Sequence, residues 1–306
     1  MTKAKPFIKW VGGKGQLIEQ LEALLPADFA ERENITYIEP FVGGGAMLFY
    51  MLQKFSNIKS AVINDINPDL TLCYQVVRDN PTELIKSLKD IQSQYYSIKT
   101  EDKRKDFFLQ QRELFNTKTL NKIDNTTLFF FLNRTCFNGL YRVNKSGKFN
   151  VPFGKYDTPT ICDESTIYTD SEILQKVEIM TGDFEQTFDK INGNTFFYFD
   201  PPYRPLSNTS SFNDYTKEDF NDNAQIRLKL FCDKLNKVGI DFMLSNSDCL
   251  GKEGKDRFFD DLFIDYKIER VLATRNVNAI ASKRGKLTEI VVNNYFNKFS
   301  SQKISI

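Results

Sequence analysis

Thr195-Phe196-Phe197-Tyr198-Phe199-Asp200-Pro201-Pro202-Tyr203 is the stretch that decides how the chain is read. Four consecutive aromatic residues, Phe196 to Phe199, are too few for a helix and suit a strand buried on both faces of a parallel sheet. The ladder must then stop. Pro201 and Pro202 lack N–H groups and fix φ, which leaves the carbonyls of Asp200 and Pro201 without sheet partners, beside a carboxylate and an aromatic ring. A rigid polar pocket at the carboxyl end of a strand is where open α/β sheets place their ligands. The plain alternative is a buried strand closed by a proline-rich turn with Asp200 as a cap, and the flanking sequence has to separate the two.

Upstream, Val177 to Phe184 is a strand ending in Gly182-Asp183, and downstream a helix over about 221–238 leads to a strand from Ile240 to Ser245-Asn246-Ser247. Two further strands, Ile264 to Ala273 and Leu287 to Tyr295, flank the polar run Arg275 to Lys286. At the other end of the chain, Ile35 to Glu39 reads as a strand, Phe41-Val42-Gly43-Gly44-Gly45 as a tight turn and the residues through Lys54 as a helix. Glycine permits positive φ and close approach of a ligand to the backbone. The turn lacks the third glycine of a dinucleotide fingerprint and suits a cofactor with no pyrophosphate. Asp65 closes the next strand about twenty residues later, where Rossmann-like folds grip a ribose diol. Its other reading, an N-cap for the helix near Pro68, suits Asn67 better. Before all of this, Trp10-Val11-Gly12-Gly13-Lys14-Gly15 is a glycine turn running into a helix over 16–25, an anion-friendly arrangement without full P-loop spacing.

Between these halves the β-α alternation is interrupted. Residues 69–116 carry apolar side chains at helical spacing, and Thr127 to Leu132 begins as an apolar helix. From Gly139 the pattern becomes a hairpin turning at Asn144-Lys145-Ser146-Gly147. A two-stranded ribbon bearing Arg142, Lys145, Lys148 and Lys155 fits a DNA major groove, with Phe137 placed to wedge among bases; an exposed hairpin with solubilising lysines remains the alternative on charge alone.

The 306 residues suffice for one large α/β domain with an insertion, or for two domains, and carry no apolar stretch of membrane-spanning length and no leader pattern, so a soluble cytoplasmic protein is expected. The formal net charge is only +1, but it is unevenly spread: twelve Lys/Arg face five Asp/Glu from Lys99 to Lys155, and eight face two from Lys267 to Lys303. Local patches, more than net charge, decide phosphate binding. The chain has no histidine, which removes the usual general base, His-assisted nucleophiles and His-containing metal sites. Five scattered cysteines without Cys-x-x-Cys spacing read as buried free thiols, and no metal site is expected. No Pro-Cys pair offers the nucleophile of cytosine C5 methylation. Methyl transfer from a sulfonium donor fits what is left, because that donor is already activated.

Asp200-Pro201-Pro202-Tyr203 resembles the motif of methyltransferases acting on exocyclic amino groups of DNA bases. The whole order of motifs is similar, from about Pro6 to Tyr295, to Dam-type N6-adenine DNA methyltransferases. The resemblance implies an α/β fold: a Rossmann-like S-adenosylmethionine-dependent methyltransferase sheet, mixed, of about seven strands with the last antiparallel. It also implies an inserted helical target-recognition domain bearing the β-hairpin. The catalytic domain would comprise 1–72 and 177–306, with recognition in 73–176. By position, Trp10, Lys14, Glu39, Phe41, Gly43, Asp65, Asp183, Phe184 and Asp200 would bind S-adenosylmethionine, and Asp200, Pro201, Pro202 and Tyr203 would hold the flipped target adenine. An aromatic amine is a poor nucleophile, and hydrogen bonds from its N–H groups to Asp200 and the Pro201 carbonyl would favour a tetrahedral nitrogen while Tyr203 stacks on the base. A polar loop, Arg204 to Asp214, would order over that base.

Asn138-Gly139-Leu140-Tyr141-Arg142, Phe149-Asn150-Val151-Pro152 and Gly154-Lys155-Tyr156 resemble the hairpin of enzymes that read GATC. On that resemblance Phe137, Asn138, Leu140, Arg142, Pro152 and Tyr156 would contact double-stranded DNA, with Arg142 on a guanine, Leu140 and Pro152 on a thymine methyl, and Phe137 with Asn138 filling the gap left by the adenine. Phe137 departs from the Tyr of some relatives. The protein would then be bacterial or phage-encoded, as a solitary methylase or beside a cognate restriction endonuclease. The rival readings are an N4-cytosine DNA methyltransferase and a catalytically inactive DNA-binding protein.

Overall fold

The computed structural model describes residues 3–204, 220–250, 256–274 and 286–295. Two expected features, the loop beyond Arg204 and the polar run 275–285, lie outside these residues. The strands are β1 (Ile35–Glu39), β2 (Ile58–Asp65), β3 (Val177–Thr181), β4 (Thr195–Phe199), β5 (Asp241–Ser247), β6 (Lys267–Thr274) and β7 (Lys286–Asn293). They form one mixed sheet in the order β3-β2-β1-β4-β5-β7-β6. β1 is parallel to both β2 and β4, and β4 to β5, whereas β7 runs antiparallel to β5 and β6. The α/β fold with a seven-stranded sheet is therefore as expected. From β1 the chain goes to β2 on one side and comes back to β4 on the other. That reversal makes the carboxyl ends of β1 and β4 the switch point of the sheet, where open α/β sheets place their ligands, and Asp200 follows β4 directly.

The chain divides into two compact units, Met1–Gly13 with Val42–Lys54 and Asn64–Asp183, and Lys14–Phe41 with Phe55–Ile63 and Phe184–Ile306. The first unit contains α2 (Ala46–Lys54), α3 (Pro68–Asp79), α4 (Pro81–Ser97), α5 (Glu101–Asn116), α6 (Lys122–Thr135) and α7 (Glu164–Leu174), after α1 (Ile18–Glu22) of the second. Side chains begin four of these helices: Asn67 accepts from Asp69 N and Leu70 N, Thr100 from Lys103 N, Asn121 from Ile123 N and Asp124 N, and Asp163 from Thr166 N. α6 is buried from Asn125 to Asn133, polar and apolar residues alike, because it is the centre of the unit. Its Phe130 stacks on Phe7 at 5.4 Å, and Phe131 meets Tyr95 edge-on at 5.7 Å.

The expected ribbon after Gly139 is present only as two isolated bridges, Val143 with Phe149 and Cys136 with Phe153. Around the first bridge Asn150 N donates to Arg142 O at 3.0 Å and Asn144 N to Lys148 O at 2.9 Å, and side chains hold the rest. Asn144 Oδ1 accepts from both Ser146 N and Lys148 N at 3.0 Å, and Asn116, the last residue of α5, takes Phe149 N at 2.7 Å and donates to Phe149 O at 3.0 Å. Phe149 is opposite Val143 in a non-hydrogen-bonded pair, so its N–H and C=O face outward and the tether to a helix end holds the outer edge of the ribbon.

In the second unit all five residues of β1, of β4 and all seven of β5 are buried, and in β4 this gives the aromatic run Phe196 to Phe199. α8 (Asp222–Lys237) lays Phe231 edge-on against Phe197 and Phe199 of β4, both at 5.9 Å. α9 (Phe258–Leu262) completes the described helices. The helix expected over 16–25 is shorter than its periodicity suggests: a 3₁₀ turn at Lys14–Gln16 precedes α1, whose N-cap Leu17 offers no capping oxygen. Among the described residues no helix is long and apolar enough to cross a membrane. All five cysteines are free thiols, four buried and Cys162 partly so.

Candidate active site

The expected site residues fall into three groups, each built within one unit. The first surrounds Asp200. β4 delivers the carboxylate to the carboxyl end of the sheet, where Lys14 Nζ lies 2.6 Å from Asp200 Oδ1 and 3.5 Å from a carboxylate oxygen of Glu289 on β7. The Lys14 side chain is only 3% exposed, so its charge has to be matched locally; removing one partner of such a buried pair costs about 3–5 kcal/mol. Lys14 also bonds the Tyr203 hydroxyl, which donates in turn to Glu289. Burial raises the Asp200 carboxyl above the usual carboxylate range, and the Lys14 ammonium opposes that rise. Burial likewise holds the Tyr203 phenol neutral. Glu39, at the end of β1, is pushed well above its ordinary value by burial, against the hydrogen bond that Tyr37 donates to it at 2.9 Å.

β5 fixes the motif residue by residue. The Ser245 hydroxyl lies 3.0 Å from the Tyr198 hydroxyl, 3.3 Å from Phe199 O and 3.5 Å from Asp200 Oδ1. Asn246 donates to Gln225 Oε1, and Gln225 donates to the Pro202 carbonyl at 3.1 Å. Ser247 donates to Arg204 O at 3.0 Å. These three polar residues are buried in β5, and their partners explain how a fully buried strand tolerates them. Arg204, next to Tyr203, pairs with Asp222 and Asp256, which anchors the far end of Asp200-Pro-Pro-Tyr. Nearby, Phe41 and Phe184 form a ring contact at 5.2 Å, with the Arg227 guanidinium 4.7 Å from the Phe184 ring centroid.

The second group is the glycine turn. Gly43 N donates to Asp65 Oδ2 at 3.1 Å and Asn67 N to Asp65 Oδ1 at 2.9 Å. Burial raises this carboxyl too, and the backbone N–H groups oppose the rise. Asn67, not Asp65, caps α3. Gly43 has φ +49°, and a Cβ there would come within 2.9 Å of the Trp10 indole; only glycine suits that position. Gly182 N donates to Asp65 O at 3.1 Å, which puts the exposed Asp183 one residue beyond the same loop.

The third group is the loop of residues 137–156. Phe137, 52% exposed, and the exposed Asn138 and Pro152 face solvent, while Leu140, Arg142 and Tyr156 are half-buried. Arg142 donates from Nε to Asn150 Oδ1 at 2.7 Å and from Nη2 to Asn150 O at 3.2 Å. That holds one edge of the guanidinium and presents the other, Nη1 with the second Nη2 hydrogen, as a fork. Lys9 Nζ lies 5.0 Å from the centre of the Tyr156 ring.

Three residues escape a reading of the sequence alone. Glu289 is the lone acid of β7, a weak signal in itself. Asn150 and Tyr141 lie inside the hairpin motifs but gain a role only through their partners, Arg142 and Asp69.

A family model described as D12 class N6 adenine-specific DNA methyltransferase matches residues 10–277. The chain is 45% identical over 296 residues to the type II methyltransferase M.MjaIII of Methanocaldococcus jannaschii, covering 96% of this chain and 100% of that one. It is 38% identical over 298 residues to the type II methyltransferase M1.LlaDCHI of Lactococcus lactis subsp. cremoris, covering 96% of each. To the DNA adenine methylase of Haemophilus influenzae it is 30% identical over 290 residues, covering 94% of this chain and 93% of that one.

Proposed function

The chain belongs to the D12 class N6 adenine-specific DNA methyltransferase family and is an adenine-specific DNA methyltransferase, and from that premise we propose that it methylates N6 of a flipped-out adenine in double-stranded 5′-GATC, with S-adenosylmethionine as donor. The observation that carries this reading is the Asp200, Lys14, Tyr203 and Glu289 cluster at the end of β4. A carboxylate of raised basicity, kept in reach of ionisation by one buried cation, is suited to accept hydrogen bonds from an amino group and then its surplus proton.

The donor set fits S-adenosylmethionine on the chain's own chemistry. Backbone N–H groups of Gly43 and Asn67 hold the two Asp65 oxygens, and the carboxylate keeps acceptor capacity for a ribose hydroxyl. Trp10 and Gly43 border that carboxylate, the Phe41 and Phe184 rings offer an apolar surface for adenine, and Asp183 would accept from the amino group of that ring. Lys14 and Glu39 complete the assigned set. Bound there, the cofactor supplies an electrophilic methyl group. The protein's part is to orient the target amine: Asp200 and the Pro201 carbonyl accept its N–H bonds, Tyr203 stacks on the base with its hydroxyl tethered, and Pro202 holds the turn rigid. The proton released from the amine passes to the Asp200 carboxylate. Orientation of this kind removes much of the barrier before any bond changes.

The basic loop supports the GATC reading. In it Arg142 addresses a guanine, Leu140 and Pro152 a thymine methyl, Phe137 and Asn138 the gap left by the adenine, and Tyr156 the adjoining backbone, and flipping, at a few kcal/mol, is offset by these contacts. We assign 73–176 to recognition and 1–72 with 177–306 to catalysis. The greater identity to relatives named type II methyltransferases than to one named DNA adenine methylase supports a role beside a restriction endonuclease, acting on cytoplasmic DNA of a bacterium or its phage. The test is nucleoside mass spectrometry of treated DNA, followed by digestion with an endonuclease blocked by N6-methyladenine in GATC. N6-methyladenine with full protection is expected. N4-methylcytosine would overturn the chemistry, and N6-methyladenine without protection would overturn the site alone.

A further inference from the structure

A closed ring of contacts runs through the first unit and has Tyr141 at its turning point. The Tyr141 ring stacks on Trp10, with centroids 5.8 Å apart and planes 27° from parallel. Trp10 packs on Gly43, Gly43 N donates to Asp65 Oδ2, and Asn67 N donates to Asp65 Oδ1. Asn67 Oδ1 accepts from Asp69 N at 3.0 Å, and Asp69 Oδ2 accepts from the Tyr141 hydroxyl at 3.0 Å, which closes the circuit. Asp69 is itself fixed by Lys118 Nζ at 2.7 Å and Asn125 Nδ2 at 3.4 Å, and Tyr141 also stacks on Phe129 at 5.4 Å. No link in this ring is a long flexible side chain free to absorb a displacement.

Tyr141 stands between Leu140 and Arg142 in the chain. A shift of those two residues on meeting base edges has to move the Tyr141 backbone, and with it either the indole stack or the bond to Asp69. Both lead within a few contacts to Asp65. We propose that Tyr141 is a positioning residue that couples DNA reading by Leu140 and Arg142 to the grip of Trp10 and Asp65 on the methyl donor. This rests on the roles assigned under Proposed function. The coupling is reciprocal: whatever factor the duplex adds to donor affinity, the donor adds to duplex affinity. Packed side chains with two arrangements can carry such a linkage, whereas a loop on a flexible stem cannot.

The experiment measures binding of S-adenosylhomocysteine, the demethylated donor that permits no turnover, by calorimetry on the full chain, alone and saturated with a GATC duplex. In the wild type the duplex is expected to tighten the probe by a factor in the usual range for allosteric coupling, about 5–150-fold. Tyr141→Phe, which removes one hydroxyl, is expected to lose most of that factor while leaving probe affinity without DNA largely unchanged, because the lost bond is to Asp69 and not to the probe. Asp69→Asn attacks the same link from its other end and is expected to behave alike; it serves as the test if Tyr141→Phe does not fold. A general loss of structure would weaken both measurements and leave their ratio unchanged. An unchanged ratio in the variants, or no coupling in the wild type, overturns the inference and leaves the methyltransferase reading standing. A wild-type chain that binds neither probe nor duplex overturns both.

Discussion

Asp65 and Asp200 are both carboxylates whose proton affinity burial raises, yet they are held by opposite means. Asp65 is held by backbone N–H groups from residues 22 and 2 positions away. Asp200 is held by the Lys14 ammonium, which is also bonded to Tyr203, 189 positions from it; Tyr203 in turn bonds Glu289, 86 positions away. Backbone donors have no rotamers to lose and do not titrate, so Asp65 is a fixed acceptor suited to a cofactor's neutral diol. A lysine side chain can swing, so Asp200 can exchange its cation for the N–H groups of a substrate while keeping a charge partner in reach. Asp170 in α7 has neither device. It accepts only Lys5 N at 3.1 Å, its Oδ2 has no hydrogen-bonding partner among the described residues, and burial pushes it up to about 8.

The largest expected effect tests the exchangeable carboxylate. Asp200→Ala should lower single-turnover methyl transfer by at least about 10²–10³-fold, the scale of losing one preorganised electrostatic contact, with duplex affinity unchanged. If most of the wild-type turnover survives, Asp200 is only a turn cap. For the fixed carboxylate, Asp65→Ala should cost about 1.5–3 kcal/mol of donor affinity through lost charge-assisted bonds. Calorimetry showing unchanged affinity would reduce Asp65 to a member of the glycine turn.

Smaller changes sharpen the comparison at the loop of residues 137–156, where Arg142 is held on one edge by Asn150. Arg142→Ala should cost about 1–3 kcal/mol of discrimination at the guanine, and Asn150→Ala a fraction of that, because the fork survives but is less well aimed. Competition between GATC and singly substituted duplexes measures both; equal losses would mean that Asn150 itself reads a base. Asp170→Asn should leave methyl transfer unaffected and change only the pH dependence of stability. With a folded value near 8, above the ordinary 3.8, the folded state holds its proton more tightly than the unfolded one. The stability this contributes is complete below about pH 4 and is lost as pH rises to about 8, at up to about 1.4 kcal/mol per unit. Asparagine does not titrate, so the melting temperature of the variant should gain on the wild type across that window and then level off. A difference independent of pH would refute the assignment.

The surroundings of Asp65 can be read in order along the chain because a strand, a glycine turn and an N-cap are decided within a few positions. Asn67 caps α3 as its spacing predicts, and the ends of β4 and β5 fall close to where proline and the polar triplet place them. The hairpin is legible as a turn but not as a ladder. Its turn chemistry is local to Asn144 and Gly147, whereas the partner that holds the outer edge at Phe149, Asn116, belongs to a helix 33 positions earlier.

By itself the sequence determined the alternation of buried strands and helices, the break at Asp200-Pro-Pro-Tyr, the glycine turn leading to Asp65, and the exclusion of histidine chemistry, since each depends on residue type and short-range spacing. Only the tertiary structure decided that Lys14 and Glu289 share the Asp200 cluster, that Asn150 aims Arg142, and that Tyr141 closes a circuit with Asp69. Except for Asn150 and Arg142, these partners are far apart in the chain. A side-chain bond is short-ranged, and no local pattern records which distant strand or helix end will arrive within bonding distance of a given carboxylate until sheet order and helix packing have been set.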